Sequence, residues 1–270
     1  MQAPRPIREI PAATCRNLTS FFTDIDDTIT EGGLLTAQSY SALWDLHAGG
    51  LELVVVTGRP AGWCDHIARM WPVDAVIGEN GAFYYAYDRV DRRMHRRSLI
   101  SEEERLEGRR RLERVRERVL AEVPGCAIAA DQPFRLVDLA VDFREDVEPL
   151  GPDGVEAICR IAGEEGAVCK VSSIHVNCWY GSFDKVSGVR RFLGDRGRDL
   201  DDDGVRGAVL FAGDSPNDEP MFRELPTTVA VANIREFLPR LTFPPAYVTS
   251  LPSARGFAEA VGMLLDKRRS

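Results

Sequence analysis

The first part of the chain alternates between short apolar runs and segments with helical spacing. Apolar or β-branched runs occupy residues 18–23, 51–56 and 75–78, and helical spacing is found at 37–47 and 60–70. Continuous apolar runs of this length are typical of strands that are buried on both faces of a parallel sheet. The order strand, helix, strand, helix, strand therefore predicts a doubly wound, Rossmann-like α/β sheet that is mostly parallel.

The pattern changes near residue 83 and then changes back. The intervening strand-like segments are 83–87, 94–99, 136–143 and 168–179. A capping box at Ser101 opens a helix with one apolar stripe, and a second helix is predicted at 155–162. We therefore predict a core formed by residues 15–82 and 182–268, with an inserted α+β unit at 83–181.

Polar residues follow three of the predicted core strands. These segments are Asp24-Ile25-Asp26-Asp27-Thr28, Thr57-Gly58-Arg59 and Gly213-Asp214-Ser215-Pro216-Asn217-Asp218. Ligands of open α/β sheets bind at the carboxyl ends of the strands, so these segments are expected to meet in one site. Carboxylates without a cysteine or histidine partner are hard oxygen ligands of the kind that magnesium prefers. The sequence predicts a magnesium site there.

Lysine is rare in this chain. Of 34 basic residues only Lys170, Lys185 and Lys267 are lysines, and the others are arginines. A lysine ammonium is a compact point charge, whereas a guanidinium is a planar fork. The retention of Lys185 near the return to the core therefore indicates a positive charge that faces a phosphate group.

The order and spacing of these four features resemble the haloacid dehalogenase superfamily. The insertion follows Glu79-Asn80-Gly81-Ala82 and so resembles the C2 type of cap domain of the Cof-like, sucrose-phosphate phosphatase-like and mannosyl-phosphoglycerate phosphatase-like members. This resemblance implies a magnesium-dependent phosphatase. The expected substrate is the phosphate monoester of a small metabolite, of the sugar phosphate type, and the expected intermediate is an aspartyl phosphate.

The resemblance also implies roles for individual residues. Asp24 is the expected nucleophile and Asp26 the general acid and base. Thr57 is expected to hydrogen-bond the transferring phosphoryl group, and Lys185 to neutralise it and orient Asp24. The family commonly has glycine where this chain has Asp27, which leaves the conformation of that loop open.

The resemblance further implies a metal site and a substrate site. Asp214 is expected to bind magnesium beside the carboxylate of Asp24 and the backbone carbonyl of Asp26, with Ser215 and Asp218 close to the ion. The remaining residues predicted to bind substrate are Gly58, Asn217 and, in the cap, Arg135, His175 and Asn177.

Composition narrows the range of partners. A net charge of -8 argues against a nucleic-acid binder, because a phosphate backbone is normally met by a basic face. No apolar stretch has the length of a membrane span, and the six cysteines contain no CxxC pair. A cytoplasmic protein with a small phosphorylated metabolite as its partner is expected, and no oligomeric state is predicted.

Three alternatives remain open at this stage. A sugar phosphomutase uses the same phosphoaspartate and returns the phosphate to a second hydroxyl. A receiver-type signalling domain also carries acidic residues, threonine and lysine around a phosphorylated aspartate, but is about half as long and has no cap. A non-catalytic binding protein with this fold would be expected to lack Asp24 or Asp26, and both are present.

Overall fold

The computed structural model describes residues 3–270, which form a core with a central sheet and a cap with its own sheet. The strands are β1 (Arg5–Pro6), β2 (Ser20–Thr23), β3 (Thr30–Glu31), β4 (Leu34–Leu35), β5 (Glu52–Val56), β6 (Ala75–Gly78), β7 (Phe83–Asp88), β8 (Arg93–Ser98), β9 (Ala127–Ile128), β10 (Leu139–Asp142), β11 (Val168–Val171), β12 (His175–Trp179), β13 (Val209–Gly213), β14 (Thr227–Ala230) and β15 (Tyr247–Val248). The α-helices are α1 (Ala12–Asn17), α2 (Ala37–Ala48), α3 (Ala61–Met70), α4 (Glu102–Glu122), α5 (Pro152–Glu164), α6 (Lys185–Gly194), α7 (Asp203–Gly207), α8 (Glu219–Glu224) and α9 (Ser253–Arg269).

The central sheet has the order β1-β15-β14-β13-β2-β5-β6-β7-β8. In this sheet order, all neighbouring strands from β1 to β6 pair in parallel. Strand β7 pairs antiparallel with both β6 and β8. After β2 the chain adds β5 and β6 on one side, and later adds β13, β14 and β15 on the other side. The direction in which strands are added therefore reverses beside β2. Ligands of doubly wound sheets bind outside such a reversal point. The predicted fold class is confirmed.

Helices cover both faces of this sheet because its strands are apolar on both sides. Along β5, Leu53 and Val55 pack in one apolar cluster with α2, α3 and α9, whereas Val54 and Val56 pack in another with α6 and α8. Side chains of successive strand residues point to opposite faces, which explains why the run is continuously apolar. Within residues 3–270, no helix is long and apolar enough to cross a membrane.

The cap is a four-stranded antiparallel sheet, in the order β11-β12-β10-β9, covered by α4 and α5. The capping box that opens α4 is present, since Ser101 and Glu104 each accept a hydrogen bond from the other's backbone N–H. The predicted apolar stripe of α4 faces this third core; it comprises Leu112, Val115, Val119 and Val123.

One element lies elsewhere than the sequence predicts. The hairpin formed by β7 and β8 extends the core sheet, although it falls in the range 83–181 predicted for the inserted unit. The backbone has positive φ angles of 44° at Glu79, 55° at Asn80 and 106° at Gly81. This turn reverses the chain directly after β6, so β7 pairs with β6 before the chain leaves for the cap.

Candidate active site

A tight loop directly after β2 carries Asp24 and Asp26. The carbonyl oxygen of Ile25 accepts hydrogen bonds from the backbone N–H groups of Thr28, Ile29 and Thr30, which closes the loop. Asp27 has a φ angle of 55°, in the left-handed region that glycine favours and that aspartate also tolerates. Asp27 therefore replaces the usual glycine without changing the conformation that the loop requires.

Lys185 reaches Asp24 from the first position of α6. Its Nζ atom donates hydrogen bonds of 2.7 Å to Oδ1 of Asp24 and 2.7 Å to Oδ1 of Asp218. Burial alone would lower the pKa of Lys185, but Asp218 and Asp24 outweigh it and raise the pKa above its ordinary value. Lys185 is therefore a permanently charged, buried cation between two carboxylates.

Three buried carboxylates, from Asp24, Asp214 and Asp218, lie close enough to share one ion. One carboxylate oxygen from each residue lies within 4.8 Å of the corresponding oxygen of the other two. Burial, only partly offset by Lys185, raises the pKa of Asp24 to about 7. Burial also raises the pKa of Asp214 well above its ordinary value, with contributions from Asp24 and Asp218. Such a cluster needs more positive charge than one lysine supplies, and its donors are hard oxygens, so it fits a divalent cation such as magnesium.

The three carboxylates differ in how the protein holds them. Oδ2 of Asp218 accepts the backbone N–H of Asp214 at 2.9 Å and of Ser215 at 3.3 Å, while its Oδ1 accepts from Lys185. Asp218 therefore shapes the loop after β13. Asp214 is held by side chains instead, since it accepts a hydrogen bond of 3.0 Å from Asn233 Nδ2.

The loop after β5 brings Thr57 and Gly58 to the same edge of the sheet. The Thr57 side chain is buried, and its Oγ1 accepts the backbone N–H of Arg59 at 3.0 Å. A Cβ atom at Gly58 would lie 3.3 Å from Oδ1 of Asn177 and from Nδ2 of Asn80. The absence of a side chain at this position thus allows the cap to approach the loop closely.

Arg59, the third residue of this segment, binds Asp26. Both carboxylate oxygens of Asp26 accept from Arg59, with Nε at 3.0 and 3.1 Å and Nη2 at 2.8 Å. The guanidinium also reaches Glu145 in the cap. Burial alone would raise the pKa of Glu145, but hydrogen bonds with His175 and Arg59 lower it to about 2.

The predicted cap residues lie at the interface between cap and core. Arg135 is buried and pairs with Asp131 and Asp138, and its Nη1 donates to the carbonyl oxygen of Gly58 at 2.8 Å. Asn177 Nδ2 donates to Asp138 at 2.8 Å. Arg135 thus joins the cap to the loop after β5, and its predicted contact with substrate stays a prediction.

A small cavity separates the cap from the core loops. Its volume is about 10 Å³, roughly the space of one water molecule. Seven predicted site residues line it, from both units: Asp24, Asp26, Gly58, His175, Asn177, Ser215 and Asn217. The lining also includes residues that were not predicted: Arg59, Ser172, Ser173 and Ile174. The cap therefore leaves little space directly over Asp24, and a larger cavity of about 320 Å³ adjoins this one at Asp26, Arg59 and Ile174.

Residues 21–105 match the family described as haloacid dehalogenase-like hydrolase, a segment that includes the first two motifs. Over these residues the chain is similar to the haloacid dehalogenase-like hydrolases. No curated protein shows significant sequence similarity to the chain. The resemblance predicted from the motifs is thus confirmed, as is the prediction of an enzyme.

Solved structures share this hydrolase's fold over nearly the whole chain. A Thermoplasma acidophilum protein is 18% identical with a TM-score of 0.68, covering 92% of this chain and 98% of its own. A haloacid dehalogenase-like hydrolase from B. subtilis is 14% identical with a TM-score of 0.64, covering 92% and 99%. The sucrose-phosphatase from Synechocystis sp., solved with sucrose and phosphate, is 15% identical with a TM-score of 0.63, covering 92% and 98%.

Sequence reasoning missed several residues that this hydrolase uses to build its site. Glu79 is fully buried, and its carboxylate accepts the backbone N–H of Ala61 in the core and of three successive cap residues; these are Leu136, Val137 and Asp138. Glu145 and Asn233 were likewise not singled out. Each is a single polar residue in a polar or loop segment, so no local pattern marks it.

Proposed function

We propose that the protein is a magnesium-dependent phosphatase that hydrolyses the phosphate monoester of a small metabolite, of the sugar phosphate class, through a phosphorylated Asp24. The observation that carries this proposal is the contact of 2.7 Å between Lys185 Nζ and Asp24 Oδ1 inside a buried cluster of carboxylates. A carboxylate attacks an anionic phosphate only where nearby positive charge offsets the repulsion. Lys185 supplies a fixed part of that charge.

In the first half-reaction a carboxylate oxygen of Asp24 attacks phosphorus, and the bond from phosphorus to the leaving oxygen breaks. Asp26 protonates that oxygen, so a sugar alcohol departs rather than an alkoxide. Thr57 donates its hydroxyl hydrogen to the transferring group, and Lys185 keeps Asp24 oriented. The site fits magnesium held by Asp24, Asp214 and the backbone carbonyl of Asp26, and the ion would add charge stabilisation for the phosphoryl group.

In the second half-reaction Asp26 accepts a proton from water, and that water attacks the phosphorus of phospho-Asp24. Inorganic phosphate leaves and the Asp24 carboxylate is restored. One residue serves as acid and then as base because the proton that it gives away in the first step is recovered in the second. The closed cap keeps other water away from the phosphoenzyme.

A polyhydroxylated leaving group suits the cap side of the cavity. Within residues 3–270, the buried hydroxyl of Ser173, which lines this cavity, has no hydrogen-bond partner. Buried polar groups are costly when unpaired, so a ligand that supplies hydroxyl groups is favoured there. His175 and Asn177 line the same cavity and are the proposed specificity residues. The sucrose-phosphatase with the same fold, solved with sucrose and phosphate, supports this substrate class.

The cavity lining favours hydrolysis over the mutase alternative. A mutase must hold a second phosphate, which requires free positive charge. Arg59 is the arginine among the lining residues, and it is bound by Asp26 and Glu145. The small cavity next to Asp24 therefore offers no free guanidinium for a second phosphate. A small phosphorylated metabolite as partner and a cytoplasmic location remain predictions from the sequence.

The test compares Asp24→Asn with Asp26→Asn on a sugar phosphate and on 4-nitrophenyl phosphate. Asp24→Asn should form no phosphoenzyme from either substrate. Asp26→Asn should release about one equivalent of nitrophenol in a burst and then stall, because nitrophenolate leaves unprotonated but water is no longer activated. All wild-type turnover should stop in EDTA and return with magnesium. A burst from Asp24→Asn, or full activity in EDTA, would contradict the proposal.

A further inference from the structure

Arg59 connects three carboxylates across the boundary between core and cap. Its Nη2 atom donates to Oδ1 of Asp26 at 2.8 Å and also to Oε1 of Glu145 at 2.7 Å. Nε donates to Asp26, and Nη1 lies 3.3 Å from Oε2 of Glu145 and 3.6 Å from Oδ2 of Asp131. The arginine side chain is only 4% exposed, and its guanidinium stacks on the ring of Trp63 at 4.4 Å.

The cap side of this contact is rigidly placed. Asp142, the last residue of β10, accepts the backbone N–H of Glu145 at 2.8 Å. Nε2 of His175, on the neighbouring strand β12, lies 2.9 Å from Oε2 of Glu145. The position of the Glu145 carboxylate is therefore set by the cap sheet, and its contact with Arg59 depends on how that sheet docks on the core.

On the core side, Arg59 binds Asp26, which is the proposed proton donor. Asp26 has both carboxylate oxygens bound by Arg59, so the plane of its carboxylate is set by the plane of the guanidinium. A planar fork that binds two carboxylates with the same nitrogen transmits a change of position from one to the other. We propose that Arg59 is a positioning residue that couples cap closure, through Glu145, to the orientation of Asp26. This inference rests on the proposed function, because it takes Asp26 as the acid and base.

Arg59 does not have the free donors that a substrate ligand needs. Three carboxylates surround its guanidinium and occupy both of its edges and the Nε group. Lys185 already supplies a positive charge beside Asp24, where the phosphate would bind. Loss of Arg59 should therefore change the proton transfer made by Asp26 rather than the affinity for phosphate.

The decisive experiment measures Arg59→Lys and Glu145→Gln on two substrates, glucose 6-phosphate or the best alkyl phosphate found, and 4-nitrophenyl phosphate. For Arg59→Lys, kcat on the alkyl phosphate should fall by about 10²-fold, the lower part of the range for general acid catalysis. The nitrophenol burst, which needs no proton donor, should keep its rate within about threefold. Glu145→Gln should show the same selectivity with a smaller loss, on the order of tenfold.

A double-mutant cycle and a matched control complete the design. Adding Arg59→Lys to Asp26→Asn should cause no further loss on the alkyl phosphate, because the residue through which Arg59 acts is already absent. Inhibition by inorganic phosphate should be unchanged in Arg59→Lys. Arg118→Lys is the control, since Arg118 also binds three carboxylates but on the outer helices of the cap; these are Glu122, Glu164 and Glu165. The Arg118→Lys variant should turn over both substrates at wild-type rates.

An equal loss in the alkyl phosphate kcat and in the nitrophenol burst rate, an additive loss in the Asp26→Asn background, or phosphate inhibition weakened more than tenfold would each overturn the proposal. The first two outcomes indicate a general structural role and the third a substrate ligand. Failure of the underlying function looks different, because Asp26→Asn itself would then treat the two substrates alike. That result removes the proton-transfer role of Asp26 and overturns the coupling with it.

Discussion

Removal of Lys185 tests the electrostatics of the site most directly. Lys185→Ala leaves the carboxylates of Asp24 and Asp218 buried without the cation that now lies 2.7 Å from each. Breaking a buried ion pair in this way costs about 3–5 kcal/mol, a large part of the roughly 5–15 kcal/mol that stabilises a typical protein. At about 2–4 °C per kcal/mol, the melting temperature should fall by roughly 6–20 °C.

The same change should reduce catalysis by a comparable energy. A preorganised charge at the reacting group contributes about 3–4 kcal/mol to transition-state stabilisation, which corresponds to a loss of about 10²–10³-fold in kcat. Because Lys185 is proposed to act on the phosphoryl group, kcat should fall equally on sugar and nitrophenyl phosphates, unlike in the Arg59 variants. The loss should persist at saturating substrate.

Two measurements check this prediction. Thermal unfolding in EDTA reports stability without any bound ion, and the initial rate with 4-nitrophenyl phosphate and magnesium reports catalysis. Lys170→Ala is the control, because Lys170 is an exposed lysine on β11. A Lys185→Ala variant with turnover within tenfold of wild type, or with an unchanged melting temperature, would refute the electrostatic argument.

Two further changes test the segment that joins core and cap. A Cβ atom at Gly81 would lie 1.9 Å from the carbonyl oxygen of Asp184, next to Lys185, so Gly81→Ala should lower stability and abolish turnover. The control is Gly50→Ala, because Gly50 also has a positive φ but no atom within 4 Å of the added Cβ. This control should lower the free energy of unfolding in urea by only about 1 kcal/mol. Burial raises the pKa of Glu79 from 4.5 to about 7, so the folded state favours the protonated carboxyl group. The resulting contribution to the free energy of unfolding is fully present below about pH 4.5 and is lost as the pH rises through 7. Glu79→Gln should therefore be less stable relative to wild type at pH 5 than at pH 8, with a difference on the order of 1–3 kcal/mol in urea unfolding; an equal gap at both pH values would contradict this.

The core of the site was predictable because its residues follow strand ends. Asp24, Thr57 and Asp214 come directly after β2, β5 and β13, which are neighbours in the sheet. Parallel strands end at the same edge, so residues distant in sequence meet without any further information. The prediction that Lys185 joins them was made from composition and order, and its contact with Asp24 agrees with it.

The interface between cap and core was not predictable in the same way. Arg59 and Glu145 are 86 residues apart, and their contact depends on how the cap sheet docks on the core loops. A single glutamate in a polar loop has no periodic or turn signal that separates it from a solvated residue. The hairpin β7 and β8 shows the same limit, because its apolar run fits a core sheet and a cap sheet equally well until the turn at Glu79 is known.

Two cations of the site each bridge two carboxylates at close range, and we call each such set an ion triad; Asp131 lies farther from Arg59, at 3.6 Å. Lys185 lies between Asp24 and Asp218, and all three belong to the core. Arg59 lies between Asp26 and Glu145, and that triad is completed only by the cap.

The choice of cation follows from what each triad has to do. A reacting carboxylate needs a concentrated charge that leaves its other oxygen free to attack, which suits an ammonium. Two carboxylates that must be held in a fixed relation need a planar fork, which suits a guanidinium. On the proposed roles, the nucleophile Asp24 is in place before substrate arrives, whereas the proton donor Asp26 reaches its working orientation with the cap closed. Attack and protonation would then coincide only where bulk water is excluded.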